Sequence, residues 1–175
     1  METTWKATAK AWSQARSSPP TSRCCQRSGR RTDHNYSRAL SCSWPARPLP
    51  LDRSTFPATL EDVYDAYMDA KKHAKFTGGK ARCDPRVGGK FFAWDGYLIG
   101  NNIELVRNKK IVQEWQTTKW PEGYCPSTLE ITLAKKGGTE LTMVHTKVPA
   151  GQAADYRQGW VGYYCEPLKN YFQKT

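Results

Sequence analysis

The spacing of hydrophobic residues along the chain changes twice. From residue 60 to 77 they recur every three or four positions, from 80 to 147 they alternate with polar residues, and from 150 onward the helical spacing returns. Spacings of three and four place apolar side chains on one face of a helix, whereas alternation places them on one face of a strand. The sequence therefore predicts a helix, an antiparallel meander and a second, longer helix.

The stretch from residue 150 to 175 carries the longest apolar stripe. Its large members follow at four-residue steps: Trp160, Tyr164, Leu168 and Phe172. Ordering a helical backbone costs about 1–2 kcal/mol per residue, so this helix needs a surface that receives its stripe. Pro167 interrupts the pattern, because an interior proline removes one backbone hydrogen bond. We expect a bend there, and a break into two helices is the alternative.

The first helix has a recognisable start and end. Thr59 is a natural N-cap, Asp62 occupies the third helical position as in a capping box, and Gly78-Gly79 is expected to end the helix. After it, strands are predicted at 81–84, 90–94, 97–106, 111–118, 128–133 and 140–147.

A further strand at 51–55 is expected at a sheet edge, because prolines 48 and 50 cannot donate to a ladder. The apolar face of the meander needs a cover, and the terminal helix is the one predicted element large enough. The expected fold is α+β, with a curved antiparallel sheet of about six or seven strands wrapped around a long C-terminal helix.

Charge separates the chain into two parts. The net charge is +11, but residues 1–55 hold ten Lys or Arg and three Asp or Glu, whereas residues 56–175 hold seventeen and thirteen. Residues 1–47 are rich in Ser, Arg and Pro and lack periodicity, so they are predicted to be a disordered basic extension of a domain at 48–175. A misassigned start codon, an organelle transit peptide and an arm for polyanions are the interpretations left open for this extension.

Several classes of site and location lose support from composition. The six cysteines form no C-x-x-C pair and the three histidines are scattered, so we expect no metal site and no cofactor. No run of eighteen apolar residues exists, which argues against a membrane span. We expect free thiols, a cytoplasmic location and no specific nucleic-acid partner; a mitochondrial or plastid location is the alternative if residues 1–47 are a transit peptide.

Seven short motifs carry a resemblance to a known family. They are P-A-T-L-E-D-V-Y-D-A-Y (57–67), D-P-R-V-G-G-K-F (84–91), W-D-G (94–96), K-I-V-Q-E-W (110–115), W-P-E-G (120–123), Q-G-W (158–160) and Y-x-x-P-L-K (164–169). In this order and spacing, over about residues 56–173, the chain resembles the activator of heat-shock protein 90 ATPase family, within the START-like (SRPBCC) helix-grip superfamily.

The resemblance implies a helix-grip fold and one of two roles, namely stimulation of the chaperone's ATPase or binding of an apolar ligand between helix and sheet. Full co-chaperones of this family carry an additional amino-terminal domain, which nothing in residues 1–47 resembles. We expect a non-enzymatic protein that acts on a heat-shock protein 90-type chaperone. A carrier of a small lipid or polyketide-like ligand is the alternative, and a cyclase or hydrolase that uses the same cavity is the second alternative.

Two sets of candidate residues follow. Walls of a ligand cavity are expected from inward strand positions and the terminal helix: Trp94, Ile103, Trp115, Ile131, Met143, His145, Trp160 and Tyr164. A dry core built from the same residues is the competing interpretation. A basic rim for an acidic protein partner is expected at strand ends and turns: Arg82, Arg86, Lys90, Lys109, Lys110 and Lys119. His145 shares the inward parity of Leu141 and Met143 and is the candidate acid or base of the enzyme alternative.

Overall fold

The computed structural model describes residues 49–120, 124–149 and 151–174, and the side chains of residues 49–52 are not among the described ones. The predicted extension at 1–47 lies outside these ranges. Within them, no helix combines the length and the apolar character that a bilayer crossing requires.

The described chain forms seven strands and four α-helices. The strands are β1 Leu49–Phe56, β2 Arg82–Cys83, β3 Lys90–Ala93, β4 Leu98–Val106, β5 Lys110–Thr117, β6 Ser127–Lys135 and β7 Thr139–Thr146. The helices are α1 Leu60–Met68, α2 Ala70–Thr77, α3 Ala153–Trp160 and α4 Glu166–Gln173. This order of elements is the one predicted from the change of period.

All seven strands belong to one antiparallel sheet in the order β1-β7-β6-β5-β4-β3-β2. β1 occupies an edge and pairs with β7, as the prolines near its start suggested. In β6 and β7 buried and half-buried positions alternate almost without exception, so each strand buries one face. The inward face of the sheet receives the helices.

The first predicted helix is divided into α1 and α2 at Asp69. Thr59 caps α1 as predicted, since its Oγ1 accepts from the Asp62 N–H at 3.1 Å and its hydroxyl donates to Asp62 Oδ2 at 2.6 Å. Asp69 has extended backbone angles and its Oδ1 accepts from two N–H groups of the next turn, at 2.9 and 2.8 Å. This second N-cap changes the direction of the chain. Gly78, with φ of 75°, ends α2 as predicted.

The terminal helix, defined as Ala153 to Gln173, continues through Pro167 and is not divided into two. A π-helical turn, Val161–Cys165, joins α3 to α4, and the Glu166 N–H donates to the Val161 carbonyl. Pro167 follows directly on this wider turn, within a continuous helix, so the missing N–H falls where the regular bonding ladder is already interrupted. The wider turn absorbs the proline, and the predicted stripe stays on the sheet side: Trp160, Tyr164 and Leu168 are buried and Phe172 is half-buried.

Candidate functional site

Aromatic rings fill the space between the terminal helix and the sheet. Trp160 of the helix packs against Tyr164 with ring centroids 4.5 Å apart and planes inclined by 46°, and it lies 5.5 Å from Trp115 of β5. Tyr156, one turn earlier in the helix, is buried. Its ring packs edge-on against Trp115 at 5.5 Å, and its hydroxyl oxygen accepts a hydrogen bond from the Trp120 Nε1–H at 2.6 Å. At these distances the rings of the terminal helix are in direct contact with those of the sheet.

His145 lies at the centre of this core in a continuous series of hydrogen bonds that runs from Trp160 to the Trp115 carbonyl. The Trp160 indole N–H can only donate, so His145 Nδ1 accepts it at 3.3 Å. The proton therefore resides on Nε2, which donates to Ser127 Oγ at 2.7 Å, and the Ser127 hydroxyl donates to the Trp115 carbonyl at 2.8 Å. Burial lowers the pKa of His145 to about 3. With both nitrogens engaged and no exposed surface, this histidine holds the core together and is not available to a substrate.

A second buried polar chain ties α1 to the sheet. The Tyr67 hydroxyl donates to Gln113 Oε1 at 3.2 Å, and Gln113 Nε2 donates to Asn102 Oδ1 at 2.8 Å. Asn102 Nδ2 continues the chain to the Asp84 carbonyl at 2.7 Å. Because each group has a partner, the chain fixes the register of α1, β5 and β4 without leaving a charge inside.

The cavity beside this polar chain is small. It measures about 20 Å³ and is lined in part by His73, Cys83, Gln113, Trp115 and Tyr164. One water molecule needs about 10–15 Å³, whereas pockets for small-molecule ligands measure about 300–1,000 Å³. The space is therefore an interstice between packed side chains, and a lipid-sized ligand does not fit without rearrangement of the helix.

His73 and Cys83 are the chemically notable groups at this cavity. The Tyr67 carbonyl only accepts, so His73 Nδ1–H donates to it at 2.9 Å and Nε2 is left as a buried acceptor without a partner. Burial lowers the pKa of His73 and raises the pKa of the Cys83 thiol, so both groups are held neutral. Within the described residues, no group of three or more His, Cys, Asp or Glu is placed to hold a metal ion.

The predicted cavity residues are brought together, with one exception. Seven are buried in the core: Trp94, Trp115, Ile131, Met143, His145, Trp160 and Tyr164. Of these, only Trp115 and Tyr164 line the cavity. Ile103 is 46% exposed, so its assignment to the interior is wrong. Ile103 has the opposite parity to the inward Leu98 and Asn102, so alternation along β4 places it on the outer face with Ile99, and the register shift between Asn102 and Glu104 leaves it without a partner on β5.

The predicted basic residues do not form one rim. Lys119 follows the end of β5 that pairs with Leu98, whereas Lys110 pairs with Val106 at the other end of β4. The two ends of this nine-residue strand are about 26 Å apart at about 3.3 Å per residue. Arg86 is paired with Asp84 at 2.8 Å, and Lys110 with Glu104 at 3.0 Å. Arg82, Lys90 and Lys109 are exposed, as is Lys119, whose Nζ lies 5.9 Å from the Tyr97 ring centroid.

Residues of both buried polar chains escaped the sequence analysis. Gln113 is flanked two positions away by Ile111 and Trp115, and Ser127 by Leu129, so strand parity alone places both polar side chains inward. A polar residue at an inward position signals a buried hydrogen-bond network, because such a group is seldom buried unpaired. Asn102 carries the same signal from Leu98, four positions earlier in β4.

The same residues can be set against known families. The sequence matches the family described as "Activator of Hsp90 ATPase homolog 1-like protein" over residues 57–173, about two thirds of the chain. The chain belongs to this family. The predicted resemblance is therefore confirmed. The matched range contains all of the described helices and every described strand except β1.

Curated relatives carry the name of the same activity. The human "Activator of 90 kDa heat shock protein ATPase homolog 1" is 34% identical over 120 residues, which cover 69% of this chain and 36% of the human protein. The mouse homolog 2 is 30% identical over 121 residues and is covered to the same 36%. The chain thus spans about a third of the length of the curated relatives it matches.

Solved structures show the fold. An HSP90 activator from Plasmodium falciparum aligns with a TM-score of 0.65 at 24% identity, over 70% of this chain and 94% of that one. The Aha1 dimer from Colwellia psychrerythraea aligns with a TM-score of 0.57 at 17% identity, over 69% of this chain and 92% of that one. The helix-grip architecture predicted for the activator family is confirmed by this likeness and by the strand order.

Proposed function

We propose that this domain acts through its outer surface on a heat-shock protein 90-type chaperone and stimulates its ATPase. Membership of the activator family supports the partner, since relatives at 34% and 30% identity are named for this activity. The observation that favours a surface-acting protein is the filled interior, whose cavity measures about 20 Å³. A protein that carried a ligand between helix and sheet would need at least about fifteen times that volume.

The enzyme alternative finds no support in the core histidine. General acid–base catalysis needs a group within hydrogen-bond reach of the substrate and a pKa near the working pH. His145 has no exposed surface, both of its ring nitrogens are occupied, and its pKa is lowered to about 3 by burial. The role we assign to it is to orient Trp160 and Ser127 in the core.

The test is the steady-state ATPase rate of a heat-shock protein 90-type chaperone with increasing amounts of the full chain. We expect the rate to rise and to saturate at the concentration where binding saturates. A peptide of residues 1–47 is the control, because that segment holds a large share of the basic residues and reports any unspecific effect of positive charge. Neither binding nor stimulation by the full chain would contradict the proposal, as would equal stimulation by the peptide.

A further inference from the structure

Exposed apolar side chains gather around one strand of the sheet. Among the described residues, the large hydrophobic side chains that remain exposed are Val87, Ile99, Ile103 and Val106, at 66, 39, 46 and 40%. Three of them belong to β4, and the fourth adjoins Gly88, whose N–H donates to the Asn102 carbonyl of the same strand at 2.7 Å. The three β4 members form a row about 23 Å long on which Asn101 and Glu104 lie between the apolar side chains, and we call this row the patch. Mixed apolar and polar surfaces of this kind are typical of protein–protein interfaces.

The register shows that this patch lies on the outer face. Ile99 pairs with Gln116 and Val106 with Lys110, whereas the inward Leu98 and Asn102 pair with Thr117 and Gln113, both buried. Ile103 shares the parity of Ile99 and belongs to the same outer row, and the register shift that follows it brings Val106 into this row. The helices cover the opposite face, so nothing described covers these three side chains.

Cations without an ion pair border the patch on two sides. Arg82 pairs across from Phe92 and Lys90 across from Asn101, so both lie beside the row on β4, and Lys109 lies at its far end. None of these three forms an ion pair within the described ranges.

The carboxylates of this region are already engaged. Lys110 Nζ lies 3.0 Å from Glu104, Arg86 Nη2 lies 2.8 Å from Asp84, and Asn101 Nδ2 donates to Glu114 at 3.3 Å. Glu114 keeps its negative charge because Asn101 is neutral, but the three unpaired cations outnumber it and leave the region net positive.

We infer that the β4 surface, defined as Ile99, Ile103 and Val106 with Arg82, Lys90 and Lys109, is where the chaperone docks. This inference rests on the proposed function and names the surface that serves it. The matching partner surface presents branched apolar side chains with carboxylates around them, because an apolar centre with a charged border gives both affinity and orientation. A second copy of this chain fits poorly, since two like-charged borders would meet.

Two pairs of substitutions in the full chain separate the apolar and the charged parts. Ile99→Thr with Ile103→Thr removes apolar area while keeping β-branched side chains, and Arg82→Glu with Lys90→Glu reverses two charges. Arg157→Glu with Lys174→Glu is the matched control, because both cations are exposed and lie in the terminal helix or at its C-cap, and this helix covers the opposite face of the sheet from the patch. Near-ultraviolet circular dichroism checks that each variant keeps its aromatic core.

The measurement is the dissociation constant for a heat-shock protein 90-type chaperone. We expect each β4 pair to weaken binding about tenfold or more, with the control within about twofold of the wild type. The charge pair should also flatten the dependence of binding on salt, which the apolar pair leaves unchanged.

The contrary outcomes are distinct. If both β4 double variants bind the chaperone with the affinity of the wild type, the docking surface lies elsewhere and the proposed function still stands. Absence of binding by the wild type would overturn the inference and the proposed function together. A dimer in sedimentation experiments that the Ile99→Thr, Ile103→Thr chain no longer forms would make a second copy the occupant and overturn the inference.

Discussion

Replacing His145 by glutamine should remove a large part of the pH dependence of folding. Glutamine is uncharged at all pH values, and its amide N–H can replace the Nε2–H that donates to Ser127. The substitution therefore deletes the titration while keeping much of the hydrogen bonding. Every other ionisable group is common to both chains, including His73, whose pKa is also lowered by burial.

The size of the effect follows from the pKa of His145, which burial lowers from 6.5 to about 3. Between these values the unfolded chain binds a proton that the folded chain does not. The stability contributed by the neutral imidazole is fully present above pH 6.5 and is lost as the pH falls toward 3. At about 1.4 kcal/mol per pH unit, the loss between pH 7 and pH 4.5 is about 3 kcal/mol.

Urea denaturation of both chains at pH 7, 5.5 and 4.5 measures this term directly. The difference in unfolding free energy between wild type and His145→Gln should shrink by about 3 kcal/mol from pH 7 to pH 4.5. A difference that stays constant within about 0.5 kcal/mol would refute the reasoning, because it would mean that the imidazole is solvated in the folded state or already protonated.

Substitutions at three further positions give predictions, each checked by the midpoint of urea unfolding. Gly100→Ala should destabilise the fold by about 3 kcal/mol or more, because a Cβ there would overlap the Glu114 carbonyl oxygen of the neighbouring strand; an unchanged midpoint would contradict the pairing of β4 with β5. Gly162→Ala should stabilise it by about 0.5–1 kcal/mol, since a Cβ meets nothing within 4 Å in the terminal helix; a loss of stability would mean that this face of the helix is covered. Asp69→Ala should lower stability by about 1 kcal/mol through loss of the α2 cap, and Asp69→Asn should restore most of it.

The sequence carried enough information for the fold because its periodic signals are unambiguous. Leu129, Ile131 and Leu133 alternate with polar residues on β6, and all three are buried. The four-residue steps of Trp160, Tyr164 and Leu168 likewise predicted their common burial. Whether such a position is buried depends mainly on which face of its helix or strand it occupies, and the periodicity of the sequence predicts that face.

Local irregularities are what the pattern could not show. One residue inserted in β4 at Ile103 reverses the parity of the residues after it, so Val106 faces outward although it lies at an even spacing from the inward Leu98 and Asn102, and no local sequence signal marks that bulge. The break at Asp69 had a sequence signal, because aspartate is a capping residue and stands inside a stretch with helical periodicity. An interpretation based on periodicity alone misses this signal. At Pro167 the sequence shows that a backbone bond is lost, but the π-helical turn that accommodates the proline depends on packing against the sheet.

The candidate site was harder to predict than the fold because it depends on volume. The same inward residues build either a ligand pocket or a filled core, and the choice rests on how closely Trp115, Trp160 and Tyr164 approach one another. Charge was similarly ambiguous, since sequence cannot show that Arg86 and Lys110 are neutralised by neighbouring carboxylates while Lys90 is not.

Native mass spectrometry of the purified full chain tests the central claim, that the interior is filled and the protein acts through its surface. The predicted spectrum contains the mass of the chain alone, whichever expression host is used, because a cavity of about 20 Å³ holds no lipid. A stoichiometric apolar ligand that survives desalting, and leaves only when the chain is denatured, would contradict it.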